Sequence, residues 1–335
     1  MTVAISHFAA VRRRRLFVLA GLAFGAAAAV LLSVSLGTAG PSPWRLWGEL
    51  GNADGFAREL VLGLRLPRAL AGLAAGALLA TSGVCMQVLL RNPLADPYVL
   101  GVSGGAAIGA IGAMLAGLSL ALVQGAAFAG ALGAILIVFG LARSRGGWTP
   151  TRLLLTGVVV AAGTSAIVSC LLALGEDVQL RGMLYWLMGD LSYVQTPAPL
   201  LGLAVAGVAA GVLAARYLNV LTRGEAQAEL LGVPVRGVRL ALFAGASLLT
   251  AATVPVVGAI GFVGLLTPHL VRNLVGADHR FVVPGAALLG GILVVLADLA
   301  ARTAFAPRQL PVGALTALVG VPLFLILMRR ERQVA

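Results

Sequence analysis

The feature that most constrains the fold of this chain is a series of long apolar runs. A helix needs about 20 apolar residues to cross the hydrocarbon core of a bilayer, and ten runs approach that length. The third and the eighth are shorter or interrupted by Gly and Pro. The runs lie at Leu16–Leu36, Ala69–Leu90, Tyr98–Gly117, Leu120–Ala142, Leu153–Leu174, Ala198–Ala215, Val238–Pro255, Gly258–Val275, Val282–Ala301 and Pro311–Met328. We therefore predict an all-α integral membrane protein of about ten transmembrane helices, in a single domain over residues 1–335.

The composition agrees with a chain that lies mostly in lipid. Hydrophobic residues make up 60% and charged residues 11%, whereas a soluble domain has roughly 45–50% apolar and about 25% charged residues. The positive charge is not that of a nucleic-acid-binding protein, because the arginines are scattered between apolar runs and form no basic face with aromatic residues to stack bases. We expect membrane lipid, and no nucleic acid, around this chain.

All 24 basic residues are arginine, and the chain contains no lysine. A phosphate-binding loop of the Walker type requires a lysine, so we predict that the chain hydrolyses no nucleotide by itself. With the N-terminus in the cytoplasm and the runs alternating across the membrane, most arginines fall inside, as the positive-inside rule requires. Both termini are then cytoplasmic. The seven arginines left outside are Arg45, Arg58, Arg65, Arg68, Arg181, Arg302 and Arg308.

Residues that could carry catalysis or bind a metal are sparse. Cys85 and Cys170 lie in separate apolar runs, and the histidines are too dispersed for a metal site. A membrane-embedded enzyme would need acid-base or metal residues inside the membrane, and a secondary transporter would need an ionisable relay at midplane. Asp298 is the one carboxylate clearly inside a run. We expect no metal and no cofactor on this chain.

A segment rich in proline and glycine follows the second run. Two prolines within five residues break the helix there and predict a turn. Beyond it, Gly101, Gly105 and Gly109 recur four residues apart, a stripe on which another helix can pack closely. The turn and packing residues of this motif are Asn92, Pro93, Asp96, Pro97, Gly101 and Gly105.

Several motifs in order resemble the permease subunits of the bacterial importers for iron chelates, haem and cobalamin, the type II ABC importer permeases. The resemblance covers roughly residues 60 to 325. Its motifs are Arg65-Leu-Pro-Arg68, the segments Arg91–Pro97, Gly101–Gly105, Gly258–Arg272, Asp278–Arg280 and Ala297–Arg302, and Leu310-Pro-Val-Gly313.

The resemblance implies a ten-helix permease of the bacterial inner membrane that pairs with a second copy of itself. Two cytoplasmic ATP-binding cassette subunits, which bind the ATP and Mg²⁺, would power transport, and a periplasmic or lipid-anchored binding protein would deliver the substrate. An iron chelate, meaning a ferric siderophore or haem, is the first expectation for that substrate. Cobalamin is the alternative, and a membrane-embedded enzyme is a remote one.

The longest polar interruption after residue 150, at about residues 217–238, resembles the coupling loop of that family, through which the ATPase moves the permease. Glu225 to Leu231 can form a short helix, with Thr222 as its N-cap and Gly232 just beyond its end. A plain connecting loop is the alternative. The residues expected to contact the ATPase are Thr222, Gly224, Glu225, Glu229, Leu231 and Gly232.

Apolar residues at helical spacing predict a short amphipathic helix at the outer interface, at about residues 178–191. In the resembling family such a segment lies at the outer mouth of the path and can act as a gate. Its gate candidates are Met183, Tyr185, Trp186 and Met188. Plain anchoring of aromatic residues at the membrane interface is the alternative.

The outer arginines Arg65, Arg68 and Arg302 run against the inward bias of positive charge. The resemblance implies that they receive acidic residues of the binding protein, which suits the planar guanidinium group. Anchoring at lipid headgroups is the alternative.

Overall fold

The structure, a computed structural model, describes residues 2–38, 42–49, 55–143 and 149–331, and over these ranges it contains helices and no strand. A π-helical turn, Leu60–Arg65, and a 3-10 turn, Pro97–Leu100, stand between the α-helices. The α-helices, α1 to α15 in chain order, are Thr2–Ser35, Pro43–Glu49, Phe56–Glu59, Leu66–Leu90, Val102–Leu115, Leu120–Ala142, Pro150–Ala173, Asp177–Leu187, Ala198–Leu213, Ala215–Leu221, Glu225–Leu230, Val235–Val257, Val263–Val275, His279–Thr303 and Val312–Glu331.

Each of the ten predicted runs falls on a helix, and the all-α membrane fold is confirmed. Six helical segments in the described ranges are long and apolar enough to cross a membrane. The bent pair α9 and α10, with 56° between its axes, is a further candidate span. Of the helices on the other three runs, α5 and α15 are shorter apolar helices, and α13 has only 13 residues. Ten runs are therefore present, but not as ten full-length spans.

Irregular backbone explains why α5 and α13 are short. Before α5, Gly101 adopts a left-handed conformation with φ of 72°, and before α13, Phe262 does so with φ of 67°. The hydroxyl of Tyr98 accepts a hydrogen bond from the backbone N–H of Ile260 at 3.1 Å, which joins the two turns. Non-helical backbone is tolerated at membrane depth where it is buried in protein, as it is here.

Helix α4 is the centre of the bundle and packs against α14, α12, α13 and α9. Glycines allow its backbone to touch its neighbours. A Cβ at Gly76 would lie 2.1 Å from the carbonyl oxygen of Gly290 on α14, and one at Gly83 would lie 2.0 Å from that of Gly264 on α13. These contacts follow the small-residue packing of membrane helices.

The predicted glycine stripe of α5 is confirmed at two of its three positions. Cβ atoms at Gly105 and Gly109 would lie 2.3 and 2.1 Å from the carbonyl oxygens of Gly130 and Ala126 on α6. Gly101 instead forms the left-handed cap before α5. Its conformation, rather than close packing against α6, is what requires glycine at that position.

The predicted turn between α4 and α5 is also confirmed. Arg91 ends α4 in a left-handed conformation, and the side chain of Asn92 accepts a hydrogen bond from the backbone N–H of Leu94 at 2.9 Å. The carboxylate of Asp96 accepts one from the N–H of Tyr98 at 2.8 Å and caps the 3-10 turn that Pro97 begins. Asn and Asp stabilise such turns by bonding to the backbone two residues on.

Candidate functional site

The bundle has two ends with different chemistry. We call the end where α4 finishes and α14 begins the inner end, and the end where α4 begins and α14 finishes the outer end. The names follow the predicted topology. The predicted coupling loop lies at the inner end, and the predicted gate helix and the three arginines lie at the outer end.

The short helix predicted in the coupling loop is present as α11, which ends one residue before the expected Leu231. Gly232 has φ of 75°, and its N–H and that of Val233 bond back to the carbonyls of Glu229 and Ala228, as in a Schellman motif. The expectation for Gly232 is therefore confirmed.

Thr222 was expected to cap the N-terminus of α11, and this prediction is wrong. Its hydroxyl donates backwards to the carbonyl of Asn219 at 2.9 Å and so closes α10. The residue before α11 is Gly224, which has φ of 120° and no side chain to offer a cap. A hydroxyl that can reach its own preceding turn satisfies itself locally, which a sequence pattern does not reveal.

The two acidic residues proposed for coupling differ in their surroundings. The carboxylate of Glu225 bonds Arg91 at 3.1 Å and Arg239 at 3.1 Å, which ties α11 to the turn after α4 and to α12. Glu229 is exposed. Leu230 and Leu231 are also exposed, by 87% and 66%. The sequence-based set included Leu231 and missed Leu230, although both stand at the end of the predicted helix.

A cavity of about 200 Å³ opens beside the coupling loop at the inner end. It is lined by Asn92 and Pro93 of the turn motif, by Thr222, and by Arg272. The Arg272 guanidinium donates to the side-chain oxygen of Gln87 at 2.6 Å. Gln87 was not among the predicted site residues. A lone polar residue near the end of an apolar run was the available signal.

At the outer end, the structure brings together the three arginines expected to dock a binding protein. The Arg68 guanidinium bonds both carboxylate oxygens of Asp298 at 2.7 to 3.0 Å. Arg302, one turn after Asp298, lies 3.5 Å from the same carboxylate and donates to Ser33 of α1. Arg65 donates to the carbonyls of Val34 at 2.9 Å and Ser35 at 3.2 Å. This arginine cluster therefore joins α1, α4 and α14.

Burial limits what the arginine cluster can offer to another protein. Arg65 is 6% exposed, and the side chains of Arg68 and Arg302 are 16% and 12% exposed. Asp298 is 1% exposed. A carboxylate held by two guanidinium groups is a structural ion pair and not a free acid or base.

The predicted amphipathic helix at the outer interface is present as α8, which ends at Leu187 rather than near residue 191. Gly189, with φ of 84°, stops it. Met183 is fully buried, Tyr185 and Trp186 are half-buried, and Met188 is 38% exposed.

Hydrogen bonds fix the end of α8 to two other helices. The N–H of Asp190 donates to the carbonyl of Val257 at 2.9 Å, and the N–H of Gly313 donates to that of Met188 at 2.9 Å. The Tyr185 hydroxyl donates to the carbonyl of Gln309 at 2.8 Å. The four gate candidates therefore lie where α8 meets the ends of α12 and α15.

A cavity of about 290 Å³ lies under α8, and most of its polar lining was not predicted. Gln124, Gln179, Asp190 and Tyr193 line it together with Trp186. These residues come from α6, α8 and the segment after α8. Only the folded chain brings Gln124 to the others, because it stands 55 positions before Gln179, whereas the other four lie within one short stretch.

Helix α7 is the least buried of the six described segments of membrane-spanning length, with 17% of its apolar part buried against 22% for α1. Its exposed residues include the polar side chains Ser165, Ser169 and Cys170. Small and hydroxylated residues of membrane helices usually contact another protein chain or a water-filled path. This exposure could not be predicted from the sequence, because it depends on where the other helices lie.

In the part of the chain that the structure describes, no three His, Cys, Asp or Glu side chains are grouped so that they could hold a metal ion.

Known proteins resemble this chain over most of its length. The family model of the FecCD transport family matches residues 25–330. The hemin transport system permease protein HmuU of Yersinia pestis is 41% identical over 95% of this chain and 95% of its own length. The cobalamin import system permease protein BtuC of Halobacterium salinarum is 46% identical over 83% of this chain and 75% of its own length.

The likeness extends to solved structures. One described as an inward-facing conformation of a metal-chelate type ABC transporter superposes with a TM-score of 0.80 at 30% identity. The match covers 94% of this chain and 99% of that one.

Proposed function

The chain belongs to the FecCD transport family, and from that premise we propose that it moves an iron chelate, a ferric siderophore or haem, across the cytoplasmic membrane. As a permease of this family it is a multi-pass membrane protein and a transport subunit, not an enzyme. The similarity to a hemin permease over 95% of the chain supports haem as substrate. The similarity to a cobalamin permease supports the alternative, cobalamin.

The observation that carries the ATP-driven part of this proposal is the exposed apolar end of α11. The adjacent Leu230 and Leu231 are 87% and 66% exposed in a polar loop, and such neighbouring apolar side chains suit contact with a protein partner. Our proposal is that α11 seats in a groove of a cytoplasmic ATPase subunit. That subunit would bind the ATP and Mg²⁺, since this chain has no lysine for a Walker loop. The contact residues would be those of the loop from Thr222 to Gly232.

The second copy of the chain would pack beside α7, and the substrate would pass between the two copies. Exposed hydroxyl and small side chains along α7 suit both a close helix contact and a watery path. A water-soluble maleimide added from outside should therefore label exposed Cys170 but not buried Cys85. Failure to label Cys170 in the assembled transporter would indicate that this side of α7 faces lipid or a sealed interface.

A periplasmic or lipid-anchored binding protein would deliver the chelate to the outer end. Arg65, Arg68 and Arg302 remain our proposed docking group, through the limited surface that Arg68 and Arg302 expose. The end of α8, with Met183, Tyr185, Trp186 and Met188, would act as the outer gate, because its hydrogen bonds link it to α12 and α15. Both termini would be cytoplasmic, in keeping with the arginine distribution.

Reconstitution tests the proposal. The purified permease should hydrolyse no ATP, and hydrolysis should appear once its ATPase subunit is added. Proteoliposomes holding the complete transporter and its binding protein should then accumulate haem, a ferric hydroxamate or cyanocobalamin in the presence of ATP. Hydrolysis by rigorously pure permease, or accumulation of none of these chelates, would contradict it.

A further inference from the structure

Asn219 lies on the short helix that carries the coupling loop. This helix, α10, has seven residues and stands between two breaks in the chain. On one side it bends by 56° from α9, and on the other side Gly224, with φ of 120°, separates it from α11. A rigid segment between two breaks can move as a unit unless something fastens it.

Three hydrogen bonds fasten Asn219 to the start of α14. Its amide nitrogen donates to the Oδ1 atom of Asp278 at 2.9 Å. Its amide oxygen accepts from the backbone N–H of His279 at 2.9 Å and meets the His279 Nδ1 atom at 2.7 Å. Because that oxygen is an acceptor, His279 is assigned the tautomer that carries a proton on Nδ1. The Asp278–Arg280 motif seen in the sequence therefore has a structural role.

The residues that receive Asn219 are themselves held in place. The Asp278 carboxylate caps α14 through the N–H of Arg280 at 3.1 Å and lies 3.7 Å from the guanidinium of Arg15 on α1. His279 is 1% exposed. Asn219 thus connects α10 to α14 and α1, whereas Glu225 connects α11 to the turn after α4 and to α12.

We propose that Asn219 is a positioning residue for transport, which passes the displacement of the coupling helix to α14. The inference rests on the proposed function, in which an ATPase moves α11. Glu225 and Asn219 then deliver that movement to two different groups of helices. The amide is needed because it donates to a carboxylate and accepts from two N–H groups at once, which neither Asp nor Leu can do.

The test uses the complete transporter in proteoliposomes, with the chelate that the wild type accumulates chosen from haem, a ferric hydroxamate and cyanocobalamin. The quantity measured is chelate moved per ATP hydrolysed. Asn219→Asp places a carboxylate against Asp278, and we expect this ratio to fall about tenfold, a usual size for coupling between sites. ATPase assembly should persist, because α11 is unchanged.

Two matched variants make the test specific. Asp278→Asn alone keeps an oxygen that can accept from Asn219, so the ratio should stay near the wild-type value. The double variant Asn219→Asp with Asp278→Asn again pairs a donor with an acceptor, and it should recover most of the ratio. If Asn219→Asp fails to reach the membrane, Asn219→Leu, which forms none of the three bonds, takes its place in the comparison.

Three outcomes would overturn the inference. They are an unchanged ratio in Asn219→Asp or its Leu substitute, a fall in Asp278→Asn as large as in Asn219→Asp, and no recovery in the double variant. The proposed function is judged separately by Leu230→Glu, which should weaken ATPase binding. If Leu230→Glu binds and couples normally, the coupling role of α11 fails. If Leu230→Glu loses ATPase binding while Asn219→Asp transports normally, the coupling role of α11 stands and only the role of Asn219 fails.

Discussion

The two ends of the bundle place charged and apolar side chains in opposite ways. At the outer end, Arg68 and Arg302 direct their guanidinium groups inward to Asp298, and little of either side chain is exposed. At the inner end, Leu230 and Leu231 remain exposed while Glu225 is held by two arginines. The arginines at the outer end, which the sequence suggested for a partner protein, form ion pairs within the chain. The leucines at the inner end, which would ordinarily be buried in a core, are exposed and free to contact a partner.

This difference changes what a mutation at each end reports. A substitution in the outer arginine cluster acts first on the free energy of unfolding, because it leaves a buried charge without its partner. A substitution at Leu230 acts on association, because that side chain has few internal contacts to lose. Experiments on the two ends therefore need different readouts.

The largest effect should come from reversing the charge of Arg68. Arg68→Glu leaves Asp298 facing a second carboxylate, and removing one partner of a buried ion pair costs about 3–5 kcal/mol. We expect a lower thermal unfolding temperature of the purified permease in detergent. The exposed Arg58 offers the control, since Arg58→Glu at the same end breaks no such pair. Equal unfolding temperatures for both variants would show that the cluster is not a structural contact.

Docking of the binding protein can be separated from stability by a neutral pair. Arg68→Gln combined with Asp298→Asn places two amides that can bond each other at the site and leaves no buried carboxylate unpaired, while Arg302 keeps its bonds to Ser33, so part of the stability should return. Weaker, salt-sensitive binding of the binding protein by this stable variant would support docking at the cluster. Matched changes of acidic residues on the binding protein should then restore binding in part. Unchanged affinity would leave the cluster with a structural role alone.

A smaller effect is expected at the inner end. Leu230→Glu should weaken association with the ATPase by about 2 kcal/mol or more, as for a central interface residue, without lowering the unfolding temperature. Pull-down of the ATPase measures the association. Gln227→Glu adds the same charge to α11 without removing apolar surface, and it should bind normally. Equal binding by both variants would mean that Leu230 lies outside the interface.

The smallest effect should come from Glu225. Glu225→Gln removes both ion pairs of a partly exposed carboxylate, which is worth about 1 kcal/mol and should shrink as salt is added. Thermal unfolding at low and high salt measures it. Glu229→Gln, four residues on, should change nothing at either salt concentration. A larger loss at Glu229 than at Glu225 would reverse the roles given to these two residues.

Local signals explain which features could be predicted from the sequence. The apolar runs are properties of contiguous residues, so all ten were found at the right places. Gly232 was placed correctly for the same reason, because a left-handed residue after a short helical pattern favours glycine. The prediction that Thr222 caps α11 was wrong because its hydroxyl has two local choices. It can accept from a backbone N–H of the helix that follows, or donate to the carbonyl of Asn219 in the helix that precedes, and the sequence does not decide between them.

The missed features depend on residues far apart in the chain. Asp298 and Arg302 stand at helical spacing, so their proximity could be foreseen. Arg68 is 230 positions away from Asp298, and no pattern in the sequence reveals that it completes the ion pair. The exposure of α7 is likewise set by the position of every other helix. The three arginines singled out from the sequence lie close together in the structure, but the sequence does not show that they face inward.

The glycine contacts of α4 also govern how the bundle can rearrange. Carbonyl oxygens of α14 and α13 occupy the space where side chains at Gly76 and Gly83 would stand. A slide of α4 by one helical turn would bring Leu79, Ala80, Met86 or Gln87, each with a Cβ, to the position of Gly83, against backbone of α13 that only glycine admits. We therefore expect that α4 and α13 do not slide along each other by a turn during transport. Opening and closing would instead turn these helices together, about joints such as the bend between α9 and α10.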